Sequence, residues 1–193
     1  MICPSWFSFI LYNPIRIAFT DRNKVIREAG INQTSIVFEV GAGNGFLTET
    51  LAEHARKVCA LELQEGMVRK LHKRVQRFGS KVEIIHSDIA AYKIQDAFAD
   101  VCIMYYSFHE VSDRPEAARN IAKSVKVNGL LSIYEPTMEI TEKGMKETIS
   151  LFNVEGFVQE IDWSNLFTRF VRLRKCARMQ SDLRQDIEAT VSQ

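Results

Sequence analysis

An apolar run, Val37-Phe38-Glu39-Val40, ends in glycines at three alternate positions, Gly41, Gly43 and Gly45, and passes straight into the amphipathic stretch FLTETLAEHA. Nothing else in the chain restricts its fold as tightly. Glycines at a strand-to-helix turn let the backbone bend sharply and let a ligand approach without meeting a Cβ. The pattern reads as the turn of a nucleotide-cofactor site at the start of a βαβ unit. A dinucleotide fingerprint, G-x-G-x-x-G, needs glycine at position 46, where Phe46 stands, and no Gly-Lys-Ser/Thr follows to make a P-loop. Taken alone, the same turn also suits a chain that only closes a tight βα connection.

The remaining sequence continues the βαβ pattern. Short apolar runs alternate with longer amphipathic stretches, as in helices wrapped around a mostly parallel sheet. Strands are predicted at 35–41, 57–63, 81–86, 99–105 and 129–135. Between the second and third, Met67, Leu71, Val75 and Phe78 share one helical face, and Arg69, Lys70, Lys73, Arg74 and Arg77 form a basic face that reads as solvated surface. Past residue 155 two extended stretches flank Ser164-Asn165, which predicts an antiparallel hairpin. A helix is expected from about Pro14 to Gly30, with proline at its start and glycine at its end. At 193 residues, with 46% hydrophobic and 25% charged, the chain suits one domain with a sizeable core and excludes disordered, collagen-like or coiled-coil classes. Its formal charge of +1 supplies no global field for nucleic acid or an acidic membrane.

Two further strand ends carry acidic groups. Glu62 closes the second strand, where a carboxylate can accept both hydroxyls of a ribose, and Asp88 follows the third, placed to accept from an adenine amino group while Ile89 offers its backbone amide. Each residue alone has a bland explanation, a surface Glu at a strand end and an Asp that caps a turn. Three successive strand ends, each with a group suited to an adenosine-containing ligand, make coincidence a poor explanation.

With these residues the sequence resembles the class I S-adenosylmethionine-dependent methyltransferases, whose first strand ends E-x-G-x-G-x-G; the likeness runs over roughly residues 35–175. The resemblance implies an α/β fold: a single doubly wound Rossmann-like domain with a mostly parallel seven-stranded sheet in the order 3-2-1-4-5-7-6, the last strand antiparallel, and helices on both faces. It implies S-adenosylmethionine as cofactor and S-adenosylhomocysteine as product. Glu39 would then organise the glycine loop and the methionine amino group, with Gly41, Ala42, Gly43, Asn44 and Gly45 around the methionine and ribose. Glu62 would hold the ribose, Leu63 and Met67 would pack near the adenosine, and Asp88 and Ile89 would take the adenine. The exit of the fourth strand, Tyr105-Tyr106-Ser107-Phe108-His109-Glu110-Val111, resembles the small-molecule, type 11-like branch. The stretch ALELQEGMVRKL is similar to ribosomal RNA adenine dimethylases, but Met104-Tyr105-Tyr106-Ser107 replaces their Asn-Pro-Pro-Tyr-like or Asn-Leu-Pro-Tyr-like motif, which disfavours an RNA adenine substrate.

A sulfonium methyl is already activated, so transfer needs alignment more than acid-base apparatus. For a hydroxyl or thiol acceptor, His109 is the candidate base, against the alternative of a histidine bonded to backbone at a helix entry. Tyr105 or Tyr106 is expected to face the methyl group, with Tyr105 also near the cofactor, and Glu135 is expected to bind substrate, act as a base or simply end its strand. His54, His72, His86 and His109 show no metal-ligand spacing, so no metal is expected. Cys3, Cys59, Cys102 and Cys176 form no C-x-x-C pair and read as reduced thiols, and no signal peptide or membrane span is recognised, which together predict a cytoplasmic protein. The expected organisation is an aromatic N-terminal segment and helix as a lid or cover (1–34), the methyltransferase domain (35–176) and a polar tail (177–193). So small a cover predicts a pocket open to a bulky acceptor or completed by a second copy in a homodimer. A small-molecule acceptor is the leading expectation; a protein or RNA substrate, a non-catalytic S-adenosylmethionine-binding subunit and a nicotinamide oxidoreductase stand as alternatives.

Overall fold

The computed structural model describes residues 21–177. Residues 1–20 of the segment predicted as a cover and nearly all of the polar tail lie outside them, so Trp6 to Tyr12 and the start of the Pro14 helix are not described. Helix α1 (Arg22–Glu28) begins where the Asp21 side chain accepts from the Lys24 amide and is followed by Gly30 at φ +71°. It leads into β1 (Ile36–Val40), α2 (Thr48–His54), β2 (Lys57–Glu62), α3 (Glu65–Val75) and β3 (Val82–His86). Then follow β4 (Ala99–Tyr105), α4 (Arg114–Ser124), β5 (Val125–Pro136), α5 (Glu142–Val154), β6 (Phe157–Ser164) and β7 (Thr168–Lys175).

The sheet runs β3-β2-β1-β4-β5-β7-β6. Strands β1 to β5 pair in parallel, and β7 runs antiparallel to both β5 and β6. This is the order and the mixed edge the resemblance implied. Strands covered on both faces read as continuous apolar runs, and β4 is an example, buried at six of its seven positions. Two cores result: one face packs Phe38, Met104, Ile121, Phe152 and Leu173, and the other packs Val37, Leu51, Leu71, Ile103 and Tyr134.

Local chemistry moves several predicted boundaries. In α3 the buried residues are Val68, Leu71 and Val75, whereas Met67 turns toward the strand ends; the helix stops at Val75, before Phe78, and a 3-10 turn with Gly79 at φ +52° carries the chain to β3. The hairpin turns at Asn165, whose side chain accepts from the amides of Phe167 and Thr168. Three of the five basic residues read as one face are engaged: Arg69 pairs with Glu65, Arg74 donates to Asn44, and Arg77, in the 3-10 turn past α3, pairs with Glu49 and Glu53. No helix among the described residues is long and apolar enough to cross a membrane.

Candidate cofactor and methyl-transfer site

Parallel strands bring all their carboxyl ends to one edge, where ligands of open α/β sheets bind. A cleft opens there, lined by Gly41, Ala42, Gly43, Asn44, Glu62, Met67, Tyr105 and Tyr106 from the predicted set. Phe46, Gln64, Ser107 and Glu110 also line it, and sequence reasoning had given none of them a role.

The glycines have separate reasons. Gly41 sits at φ +77°, and a Cβ there would lie 2.4 Å from Ser107 Cβ; Ser107 donates its hydroxyl to the Val40 carbonyl at 2.7 Å and so holds β4 against the loop. Gly45, at φ +83°, faces away from the cleft, and its Cβ would meet Leu71 of α3 at 2.8 Å. Asn44 fixes the space between them, since its side-chain oxygen accepts from the Phe46 amide and from Arg74.

Two carboxylates brace this loop from opposite sides. Glu39 is 2% exposed and accepts from Thr48 at 2.6 Å, which ties β1 to the first turn of α2 behind the loop. Glu62, 6% exposed, accepts from the Gly43 amide through one oxygen at 2.7 Å and from the Gln64 amide through the other at 2.8 Å. A carboxylate has about four lone-pair sites, so each oxygen of Glu62 keeps capacity for one hydroxyl of a ribose. This donor set and the Cβ-free backbone at Gly41 and Gly43 suit an adenosine-containing cofactor.

The adenine side is less complete. One Asp88 oxygen accepts from the Ala90 amide at 2.8 Å, the turn-capping role that the sequence left open, and Ile89 buries its side chain in the core. Neither residue lines the cleft. Leu63 is 59% exposed at the end of β2, an apolar surface without cover among the described residues.

Tyr105 and Tyr106 stack with centroids 4.6 Å apart, and both line the cleft, so neither is merely core. Tyr106 holds φ +57°, an unusual conformation for a side chain of its size. Its amide donates to the Tyr134 carbonyl, and its hydroxyl bonds to Thr168 beside the turn of the hairpin.

His109 and Glu135 are held together but do not line the cleft. The His109 ring lies 2.5 Å from Glu135 through Nδ1 and 3.1 Å from Glu139 through Nε2, and its backbone amide donates to Glu135 at 3.1 Å. Burial disfavours its charge, but the hydrogen bond to Glu135 and the charges of Glu135, Glu139 and Glu110 outweigh burial and raise the imidazole above its ordinary range. The ring is thus held between two carboxylates, by a hydrogen bond at Nδ1 and a charge contact at Nε2, outside the lining of the cleft. The same 3-10 turn sends the neighbouring Glu110 to the cleft.

A family model described as a methyltransferase domain matches residues 38–133, from within β1 to within β5. A methyltransferase described as S-adenosylmethionine-dependent from Aquifex aeolicus superposes with a TM-score of 0.75 over 90% of this chain and 99% of its own, at 24% identity. The N-methyltransferase NodS from Bradyrhizobium japonicum, solved with S-adenosylhomocysteine, gives 0.66 over 80% and 85%, at 14% identity. A ribosomal RNA small subunit methyltransferase from Arabidopsis thaliana is 32% identical over 96 residues, 49% of this chain and 25% of that protein. One from Enterococcus faecalis is 33% identical over 92 residues, 48% and 31% of the two chains, so the chain spans only a quarter to a third of these curated relatives. The chain belongs to the class I S-adenosylmethionine-dependent methyltransferases.

Proposed function

We propose that the protein transfers a methyl group from S-adenosylmethionine to a small-molecule acceptor. The observation that carries the donor half is the buried Glu62 carboxylate, held by the Gly43 and Gln64 amides at the edge of a cleft lined by glycines. When bound there, the cofactor supplies a methyl carbon on a positively charged sulfur, open to in-line displacement. The chain's own residues position it: Glu62 receives the ribose, Glu39 and Asn44 fix the loop, Leu63 and Met67 pack against the adenosine, and Asp88 with Ile89 completes the adenine end. Tyr105 and Tyr106 exclude water from the transfer path.

The acceptor half rests on the rim. Met138 is 74% exposed, Leu166 78% and Phe167 54%, and the backbone of Thr137 donates to the Phe167 carbonyl, which brings these apolar side chains to the end of the sheet that holds the cleft. Exposed apolar groups gathered beside a site favour an acceptor with an apolar part. The cover proposed for residues 1–34 is supported by Arg22 of α1, which donates to the carbonyl of the cleft residue Phe46 at 3.1 Å. An RNA acceptor is the second reading, favoured by the ribosomal RNA relatives.

Isothermal titration with S-adenosylhomocysteine tests the donor site. The wild type should bind at micromolar affinity, and Glu62→Ala and Asp88→Ala should each weaken binding at least about tenfold, about 1.4 kcal/mol. A wild type that binds no S-adenosylhomocysteine sinks the proposal.

A further inference from the structure

Glu62 and Glu110 are the charged side chains among the described residues that line the cleft. They are not equivalent. Glu62 accepts from the Gly43 amide through one oxygen and from the Gln64 amide through the other, whereas the partly exposed Glu110 carboxylate hydrogen-bonds to no described residue. It is anchored through its backbone: the Glu110 amide donates to the Ser107 carbonyl, and the adjoining His109 is locked to Glu135 and Glu139. The result is a carboxylate carried to the cleft on an anchored backbone, immediately past the stacked Tyr105 and Tyr106.

We infer that Glu110 is the residue that meets the methyl acceptor, and that the attacking atom of the acceptor is an amine nitrogen. This rests on the methyltransferase reading above. Its surroundings suit a cation. Partial burial, opposed by His109 and reinforced by the charges of Glu139, Glu62 and Glu135, lifts the Glu110 carboxyl above the usual carboxylate range. A positive group beside it would relieve that repulsion, and the aromatic faces of Tyr105 and Tyr106 favour the same sign of charge.

The chemistry gives such a carboxylate a role specific to nitrogen. An amine enters through its neutral form; its lone pair forms the nitrogen–carbon bond while the carbon–sulfur bond breaks, and sulfur keeps the bonding pair. The positive charge that leaves sulfur arrives on nitrogen. A carboxylate next to nitrogen stabilises charge as it develops, which is transition-state stabilisation rather than uniform binding. The products are a methylated ammonium, which keeps its N–H proton until it meets solvent, and a neutral thioether. A hydroxyl or thiol acceptor would instead need a base to remove its proton, and the His109 ring does not line the cleft.

The test compares wild type with Glu110→Gln, which preserves shape and removes charge. Both proteins are saturated with S-adenosylhomocysteine and titrated with octylamine and phenethylamine, and in parallel with octanol and phenylethanol. The expected result is saturable binding of an amine to wild type, at least tenfold weaker binding to Glu110→Gln, and no such difference for the alcohols. Transfer of labelled methyl from S-adenosylmethionine to the bound amine should fall by at least tenfold in the same variant. Binding of S-adenosylhomocysteine itself should stay within twofold, which separates this inference from the donor site tested through Glu62. Three results overturn it: no response of wild type to either amine, an amine response indifferent to Glu110→Gln, or loss of S-adenosylhomocysteine binding in Glu110→Gln as large as in Glu62→Ala. The last would assign Glu110 to the cofactor and leave the methyltransferase reading intact.

Discussion

Substituting Gly41 by alanine should show how tightly the β4 exit is built against the glycine loop. Two costs arise. An L side chain in the left-handed region costs roughly 1 kcal/mol, and Gly41 sits at φ +77°. The added methyl would also lie 2.4 Å from Ser107 Cβ and 2.8 Å from its hydroxyl. Comfortable carbon contacts are about 3.5–4.0 Å, so the loop or the β4 exit must move by more than about 1 Å. Overpacking of this kind costs about 1–3 kcal/mol. Gly41→Ala is therefore expected to lose about 3 kcal/mol. Ser107→Gly loses the hydrogen bond to the Val40 carbonyl, about 1 kcal/mol, and adds chain freedom worth about 0.5–1 kcal/mol, near 2 kcal/mol in all. If the contact is the main obstacle, the double variant loses about 3 kcal/mol rather than the additive sum of about 5. Urea unfolding of the four proteins measures the coupling directly. A coupling below about 0.5 kcal/mol would refute the packing argument and leave only the backbone conformation of Gly41.

Two further outcomes follow from particular residues. His109 is raised in the folded state, so the stability its cluster contributes is complete below about pH 6.5, the ordinary histidine value, and is lost as pH rises through the folded value. The difference in unfolding free energy between wild type and His109→Asn should shrink from pH 5.5 to pH 9; growth over that range would show that the ring is held neutral. Ala97 is exposed with φ +47°, so Ala97→Gly relieves a left-handed alanine and should stabilise by about 1 kcal/mol, raising the melting temperature by roughly 2–4 °C for a chain of this size. A lower melting temperature would contradict the backbone assignment there.

Much of this architecture was legible because it follows from local chemistry. Glycine at 41, 43 and 45 after an apolar run announces a turn that a side chain would obstruct, and the contacts at Gly41 and Gly45 supply the physical reason. The candidate site was legible in part. Glu39 and Glu62 stand where the strand ends put them, whereas the candidate base His109 lies outside the lining of the cleft and its neighbour Glu110, given no role from the sequence, faces it. The difference is a rotation within one three-residue 3-10 turn, Phe108–Glu110, and period alone does not reveal which side chain such a turn sends outward. Ser107 and Arg74 were missed for a related reason: each acts on a residue distant in sequence, Val40 and Asn44, and neither belongs to a local pattern.

The sequence by itself determined the alternation of strands and helices, the glycine turn and the acidic residue at the end of β2, because each depends on neighbours within a few positions. Only the tertiary structure decided which carboxylates touch. Glu135 ends β5 and is 1% exposed, yet it closes on His109 26 residues away, and the hairpin tip at Leu166 and Phe167 returns to the mouth of the cleft because β7 runs antiparallel to β5. Those encounters are set by sheet order and register, which sum over the whole chain, so no single stretch of it contains them.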